Sequence, residues 1–219
     1  MSGVKAVFAC VVAVCVVGVV GTSVAAAATC PEAGLVTLCI KLAPVEGTFK
    51  FNGSGVREIT ITVSGIGLSL RSNEVTFSGE LSQGKVLSTA VVGKDFILEF
   101  RSLTVFTPLN CTALNFKTNP VSATFSDPIS TMTFTPESPA IQFASIAIEG
   151  ASCPATVRGT HPLGGSQVFN LRRPENDVAS HELESVEKSS LLYAEKEAHL
   201  TLSLLMALNN GEEFTFELA

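Results

Sequence analysis

The chain reads as an all-β, mainly antiparallel domain, a β-sandwich or an open barrel. Three observations predict this. Short runs rich in Val, Ile, Thr and Phe recur every 8–12 residues between Gly, Pro and Asn punctuation. Alternation with a period of two is clear in Arg57–Val63, where Ile59, Ile61 and Val63 share one face and Glu58, Thr60 and Thr62 the other. No strand is followed by the long helical pattern that a βαβ unit requires; a short piece near 176–190 has weak helical spacing, and Leu200–Leu208 is a strand with helix as its alternative. At 219 residues the length fits a single domain with at most a small appendage.

Residues 1–28 are an address. Lys5 is followed by a run of fifteen largely apolar residues, AVFACVVAVCVVGVV, and then by the small-residue stretch GTSVAAAA. This is the layout of a cleaved export signal, with Ala27 or Ala28 before the cut and a mature chain from 29 to 219. Left uncleaved, the same segment is nearly long enough to anchor the chain in a bilayer, the one membrane association the sequence allows. Cys10 and Cys15 depart with the leader, so Cys30, Cys39, Cys111 and Cys153 remain. Four cysteines allow three pairings, and proximity favours Cys30–Cys39 with Cys111–Cys153. None of the four forms a CxxC pair, so no zinc site is expected.

The strands follow in order. LVTLCIKL is the first and ends before Pro44; TFKFN and REITITV are separated by the turn signal Asn52-Gly53, and Gly65-Ile66-Gly67 ends the second of them. Leu68 with Leu70, Val75 with Phe77, and 85–92 continue the cadence. DFILEFRSLTVFT and AIQFASIAIEG are two long strand-like runs in which the apolar set changes parity: Phe96, Leu98 and Phe100 give way to Leu103 and Val105, and Ile141 and Phe143 to Ile146 and Ile148. Such a change needs a bulge, or a strand that bends from one sheet to another; the alternative is that each run is two strands. Between them lie three pieces that end in Pro120, Pro128 and Pro136–Pro139, with Leu114, Phe116, Val121, Phe125, Met132 and Phe134 as buried candidates. HPLGGS reads as a loop and SQVFNLRR as a strand. Residues 174–190 read as an acidic connector or a short helix, and the tail as strands that form a hairpin on Asn210-Gly211.

Function classes are mostly excluded rather than indicated. A net charge of −6, or −7 once Lys5 leaves, gives nucleic-acid backbones no electrostatic partner. There is no G-x-S-x-G elbow for a serine nucleophile; His161, His181 and His199 and the aspartates Asp95, Asp127 and Asp177 are scattered. Glu58, Glu74, Glu80 and Glu99 fall at the polar positions of half-buried strands, where a solvated face accounts for them. The chain has no Trp and one Tyr, which weakens sugar platforms, and too few Asp for a calcium loop. The fourteen Phe mark a core, or the lining of an apolar cavity. Asn52 and Asn110 each open an N-x-[ST] acceptor pattern. No catalytic, metal or cofactor residue is assigned.

The tail carries a pattern of its own: Tyr193, Ala198, Leu200, then Leu208, Gly211, Glu212 and Phe214. Together with the alanine-rich leader and the Ser/Thr/Gly texture, it resembles uncharacterised secreted β-rich proteins of actinobacteria. That resemblance implies export and no activity. The expectation is a secreted or cell-envelope protein that acts without catalysis, through a structural or interaction surface with a protein or envelope partner. A carrier of a small apolar ligand and a secreted hydrolase are the alternatives.

Overall fold

The computed structural model describes residues 38–42, 48–55, 59–82, 84–86, 91–125, 131–172, 180–186, 189–209, 211 and 214–218. The expected leader over 1–28 lies outside the described residues, as does Cys30 of the expected Cys30–Cys39 pairing. Eighteen strands account for the architecture. They are β1 (Leu38–Leu42), β2 (Thr48–Gly55), β3 (Ile59–Val63), β4 (Leu68–Ser82), β5 (Gly84–Val86) and β6 (Val91–Thr107). Next come β7 (Thr112–Ala113), β8 (Phe116–Lys117), β9 (Val121–Phe125), β10 (Thr131–Pro136), β11 (Ala144–Glu149) and β12 (Gly159–Gly164). The last six are β13 (Gln167–Arg172), β14 (Ser180–Ser185), β15 (Leu192–Tyr193), β16 (Lys196–Thr201), β17 (Ser203–Leu208) and β18 (Phe214–Leu218).

Eight strands close into an antiparallel barrel in the order β4, β2, β17, β14, β13, β10, β9, β6 and back to β4. A closed barrel has no edges left to cover, which an open sheet would have. The same β4–β6 ribbon also starts a second ring, through β3, β16, β15, β12 and β11. The single bridge Thr118–Ala144 joins β11 to the end of β8, and β8 pairs with β6. Separately, β18, β1 and β5 form a three-stranded sheet.

The ribbon explains the parity change in the sequence. In β4 the buried set passes from Leu68, Leu70 and Ser72 to Val75, Phe77 and Leu81; in β6 it passes from Phe96, Leu98 and Phe100 to Val105. These switches lie opposite each other, since Ser72 pairs with Leu103 and Val75 with Phe100. The register does not slip there. Its shifts lie at Ser78/Glu80 and Ser69/Leu70. Both strands change faces together because one half of the ribbon fills the barrel and the other half the second ring. Ser102, with φ 52°, sits at the crossing. The Ser72 hydroxyl, 1% exposed, reaches the Arg101 carbonyl at 2.7 Å and the Glu74 carbonyl at 2.8 Å. Ser72→Ala removes that donor from two part-buried hydrogen bonds, and is expected to lower the unfolding free energy by about 1 kcal/mol in chemical denaturation.

Several local expectations are corrected. Asn52-Gly53 is no turn: β2 runs straight through it, and Gly53 lies under the Phe77 ring, where a Cβ would fall 1.8 Å from Cε1. The predicted helix or connector near 176–190 contains strand β14 at Ser180–Ser185. The expected all-β, mainly antiparallel barrel is present, and its main sheet closes on itself. His161–Gly164 belong to β12 instead of a loop, and His181, 5% exposed, is a buried strand residue. The run AIQFASIAIEG is strand only from Ala144; Ile141 is an exposed loop residue, and Leu114 is 43% exposed instead of buried. The turn after β17 exists, with Gly211 at φ 74° and its N–H on the Leu208 carbonyl. It makes no hairpin: β17 pairs with β2 and β14, whereas β18 pairs with β1.

Candidate functional site

The barrel interior is core. Phe96 stacks on Phe134 with centroids 5.0 Å apart, Phe134 meets Phe169 at 5.1 Å, and all three rings are fully buried. The Phe residues named in the sequence as core or lining therefore act as packing at this level of the barrel. Gln167 shares the inward face beside Phe134; its Nε2 donates to the Val168 carbonyl.

Among the described residues at least two concavities open on the surface. The first, about 340 Å³, lies on the outer barrel wall across β2, β4 and β6 and is lined by Asn52, Thr76, Ser78, Ile97 and Glu99 among others. Its one carboxylate is engaged: Glu99 accepts two hydrogen bonds from Arg101, each 3.0 Å, and Arg101 also pairs with Glu74 at 3.5 Å. These are ion pairs on a solvated strand face, as the alternation of the sequence indicates.

The second concavity, about 350 Å³, has a different origin. It is lined by Thr135, Pro136, Ser138, Pro139, Ile141, Gly165, Ser166 and Ser190. Thr135 and Pro136 end β10 in the barrel, and Ser138–Ile141 lead from there to β11 in the second ring. Gly165 and Ser166 turn from β12 back into β13. Ser190 lies on the path from β14 to β15. Every lining segment is a place where the chain passes between the two rings, so the cleft is the seam of the fold. Binding clefts concentrate at such junctions.

The seam is held by backbone and hydroxyl groups. Ser190 N–H donates to the Ser166 carbonyl at 3.1 Å, and Ser166 N–H donates to Ser190 Oγ at 3.2 Å. The two hydroxyls lie 2.9 Å apart. Gly165, at φ 92°, permits this approach: a Cβ there would fall 2.0 Å from the Ser190 carbonyl oxygen. In the same lining, Ile141 is 43% exposed beside Pro136 and Pro139. Leu192, 48% exposed, pairs across from Gly164, next to the lining residue Gly165. Among the described residues no acid, base or thiol lines the cleft. The Ser166–Ser190 pair thus lacks the base and orienting acid that make a serine a nucleophile.

The histidines named from sequence sit in β12, β14 and β16. His161 Nε2 lies 3.3 Å from the Arg158 carbonyl, and its ring is 5.2 Å from that of Tyr193; His199 lies 3.7 Å from Glu197. Among the described residues no three of His, Cys, Asp and Glu gather as metal ligands. Asn52 and Asn110 are both exposed. Of the cysteines, Cys111 and Cys153 are joined, with Cα atoms 4.9 Å apart. Sequence reasoning did not identify the seam cleft, although HPLGGS and the 174–190 piece, which stood out as places for a functional surface, supply its Gly165, Ser166 and Ser190. Its compositional trace was the clustering of Pro and Ser in Pro136–Pro139 and of Gly and Ser in Gly164–Ser166.

Tyr193 is the fold's oddest polar group. It is fully buried on the inward face of the second ring, opposite Leu163, and its hydroxyl has no hydrogen-bond partner. Burial pushes the phenol up to about 12 from the usual 10. Because the folded chain holds its proton more tightly than the unfolded chain, stability falls as pH rises from 10 to 12, by about 1.4 kcal/mol per pH unit. Tyr193→Phe is expected to leave stability at neutral pH unchanged or raised by about 1 kcal/mol, and to remove that alkaline loss. Denaturant unfolding at neutral and alkaline pH checks both.

Among the described residues no helix is long and apolar enough to cross a membrane. No family model matches the chain, and neither curated proteins nor solved structures give a match.

Proposed function

We propose that this is an exported, non-catalytic binding protein that works outside the cell or at the cell envelope through the seam between its two rings. The observation that carries the reading is the chemistry of the seam cleft: hydroxyl groups and an apolar wall, built from three chain crossings, with no titratable side chain among the described lining residues. Such a surface can select a ligand and has nothing with which to move a proton. The Cys111–Cys153 disulfide supports an oxidising destination. So does the leader layout over 1–28, as does the tail pattern that resembles secreted actinobacterial proteins. A carrier function inside the barrel is less well supported, since the stacked Phe96, Phe134 and Phe169 rings occupy that space.

Expression with the native leader in a bacterial host tests this reading. The expected result is a product in the medium or envelope fraction that begins near Thr29, contains an oxidised Cys111–Cys153 bridge and does not turn over ester, peptide or glycoside substrates. A cytoplasmic product with its leader intact would overturn the export half. Turnover lost on Ser166→Ala would overturn the non-catalytic half.

A further inference from the structure

We infer that the seam cleft takes a neutral ligand with an aliphatic body and a carbonyl acceptor, the chemistry of a blocked aliphatic amino acid or a short uncharged peptide stretch. The inference rests on the binding reading above and specifies its ligand.

The polar side of the cleft sets the hydrogen-bond demand. Two hydroxyls, Ser166 and Ser190, share a single mutual bond at 2.9 Å. Between them they carry two protons, and the mutual bond uses one. Whichever oxygen donates, the other retains an O–H directed elsewhere. Ser190 Oγ also receives the Ser166 N–H, so the pair is anchored and its remaining proton is offered from a fixed position. That is a donor waiting for an acceptor. The backbone around it offers little competition. Pro136 and Pro139 have no N–H, the Ser190 N–H is used by the Ser166 carbonyl, and the Ile141 N–H is used by the Ser138 carbonyl.

The apolar side sets the body of the ligand. Pro136, Pro139 and Ile141 form the apolar part of the lining, and Ile141 leaves nearly half its surface in water. A large aliphatic side chain held open at the edge of a cleft gains from being covered. Aromatic platforms for stacking a sugar ring do not line the cleft.

Charge sets the remaining constraint. Among the described residues no Lys, Arg or His lines the cleft to hold a carboxylate or phosphate, and no Asp or Glu lines it to hold an ammonium. Glu137, within the loop that supplies the wall, accepts the Asp95 N–H at 2.8 Å and is not a lining residue. The whole chain is anionic at −6, which further disfavours an acidic ligand. A charged ligand would lose its hydration without a counter-charge. At about 350 Å³ the cleft is at the small end of ligand sites, roughly 300–1,000 Å³. It suits one blocked residue or two.

Amide NMR on the oxidised chain tests the assignment with three probes of the same body and different charge: N-acetyl-leucinamide (neutral), N-acetyl-leucine (anionic) and leucinamide (cationic). The neutral probe is expected to give saturable shifts centred on Ser138, Ile141, Gly165, Ser166 and Ser190, and to bind at least about tenfold more tightly than either charged probe. Ser166→Ala/Ser190→Ala, which removes the outward O–H, and Ile141→Ser, which strips the wall at an exposed position, are each expected to weaken it by about fivefold or more. Equal affinity for a charged probe, or insensitivity to Ile141→Ser in a variant with an otherwise unchanged spectrum, overturns the inference. Saturable shifts confined to other residues also overturn it, but leave a binding function standing. Failure of the binding function itself would show instead as turnover of substrate.

Discussion

Cys111→Ser/Cys153→Ser is expected to cost about 4 kcal/mol of unfolding free energy. The bond closes a loop with a sequence separation of 42, and its removal returns that loop's entropy to the unfolded chain. For a domain whose total stability is of order 5–15 kcal/mol, the loss is a large fraction. It should also be localised in its consequences. The bridge ties the turn before β7 to the turn after β11, beside a ladder of only two rungs, Ile148–Ala113 and Glu149–Thr112. The fold has made room for it: Gly150, at φ 136°, lies where a Cβ would fall 2.5 Å from the Asn110 carbonyl oxygen. Guanidinium unfolding of the oxidised parent, the reduced parent and the double variant should place the last two together, well below the first. Hydrogen exchange should quicken first at β7 and β11. A double variant within about 1 kcal/mol of the oxidised parent would show that the ladder and the core hold this corner without the bond.

That bridge was legible in the sequence, as was the all-β class, because both depend on local signals: period-two alternation, recurring punctuation, and two cysteines that bracket one unit. What was not legible depends on which strands meet. Asn52-Gly53 has the composition of a hairpin turn, and only the Phe77 ring across the ladder shows why a glycine is needed in mid-strand. Asn210-Gly211 does turn the chain, yet the strands it joins go to different sheets. The parity change at Ser102 announced a strand with two faces. It could not announce that β4 makes the same change at the same rung, which is what divides the fold into a barrel and a second ring. The seam cleft follows from that division, so its residues, brought together from three separate stretches, carried no common mark in the sequence.

The second large effect is expected where that division is packed, at Phe96. Asp95, at φ 55°, and Phe96 together oppose Gly79, since Ser78 pairs with Ile97 but Glu80 with Lys94. This bulge lays the Phe96 ring over Gly79, where a Cβ would fall 2.1 Å from Phe96 Cδ1, and the three nearest atoms all belong to that ring. The ring then stacks on Phe134 at 5.0 Å. Glycine in a strand interior is locally unfavourable; a ring that covers it recovers the lost packing. Phe96→Ala should therefore cost about 3–5 kcal/mol, as large truncations in a close-packed core do. Gly79→Ala should cost about 1–3 kcal/mol, because its methyl group can only displace the ring. Combined, the two should cost less than their sum by about 1 kcal/mol or more, since the methyl group enters space that the ring has left. Gly93 supplies the contrast. A Cβ there would meet Phe96 Cε2 at 2.4 Å, but also Leu81 Cδ2 at 2.7 Å and the Glu80 carbonyl oxygen at 2.8 Å. Removal of the ring leaves a backbone atom in the way, so Phe96→Ala should rescue Gly93→Ala less than it rescues Gly79→Ala. Denaturant unfolding of the two double-mutant cycles measures both couplings. Additive costs at Gly79 would mean that the glycine serves the bulge and not the ring.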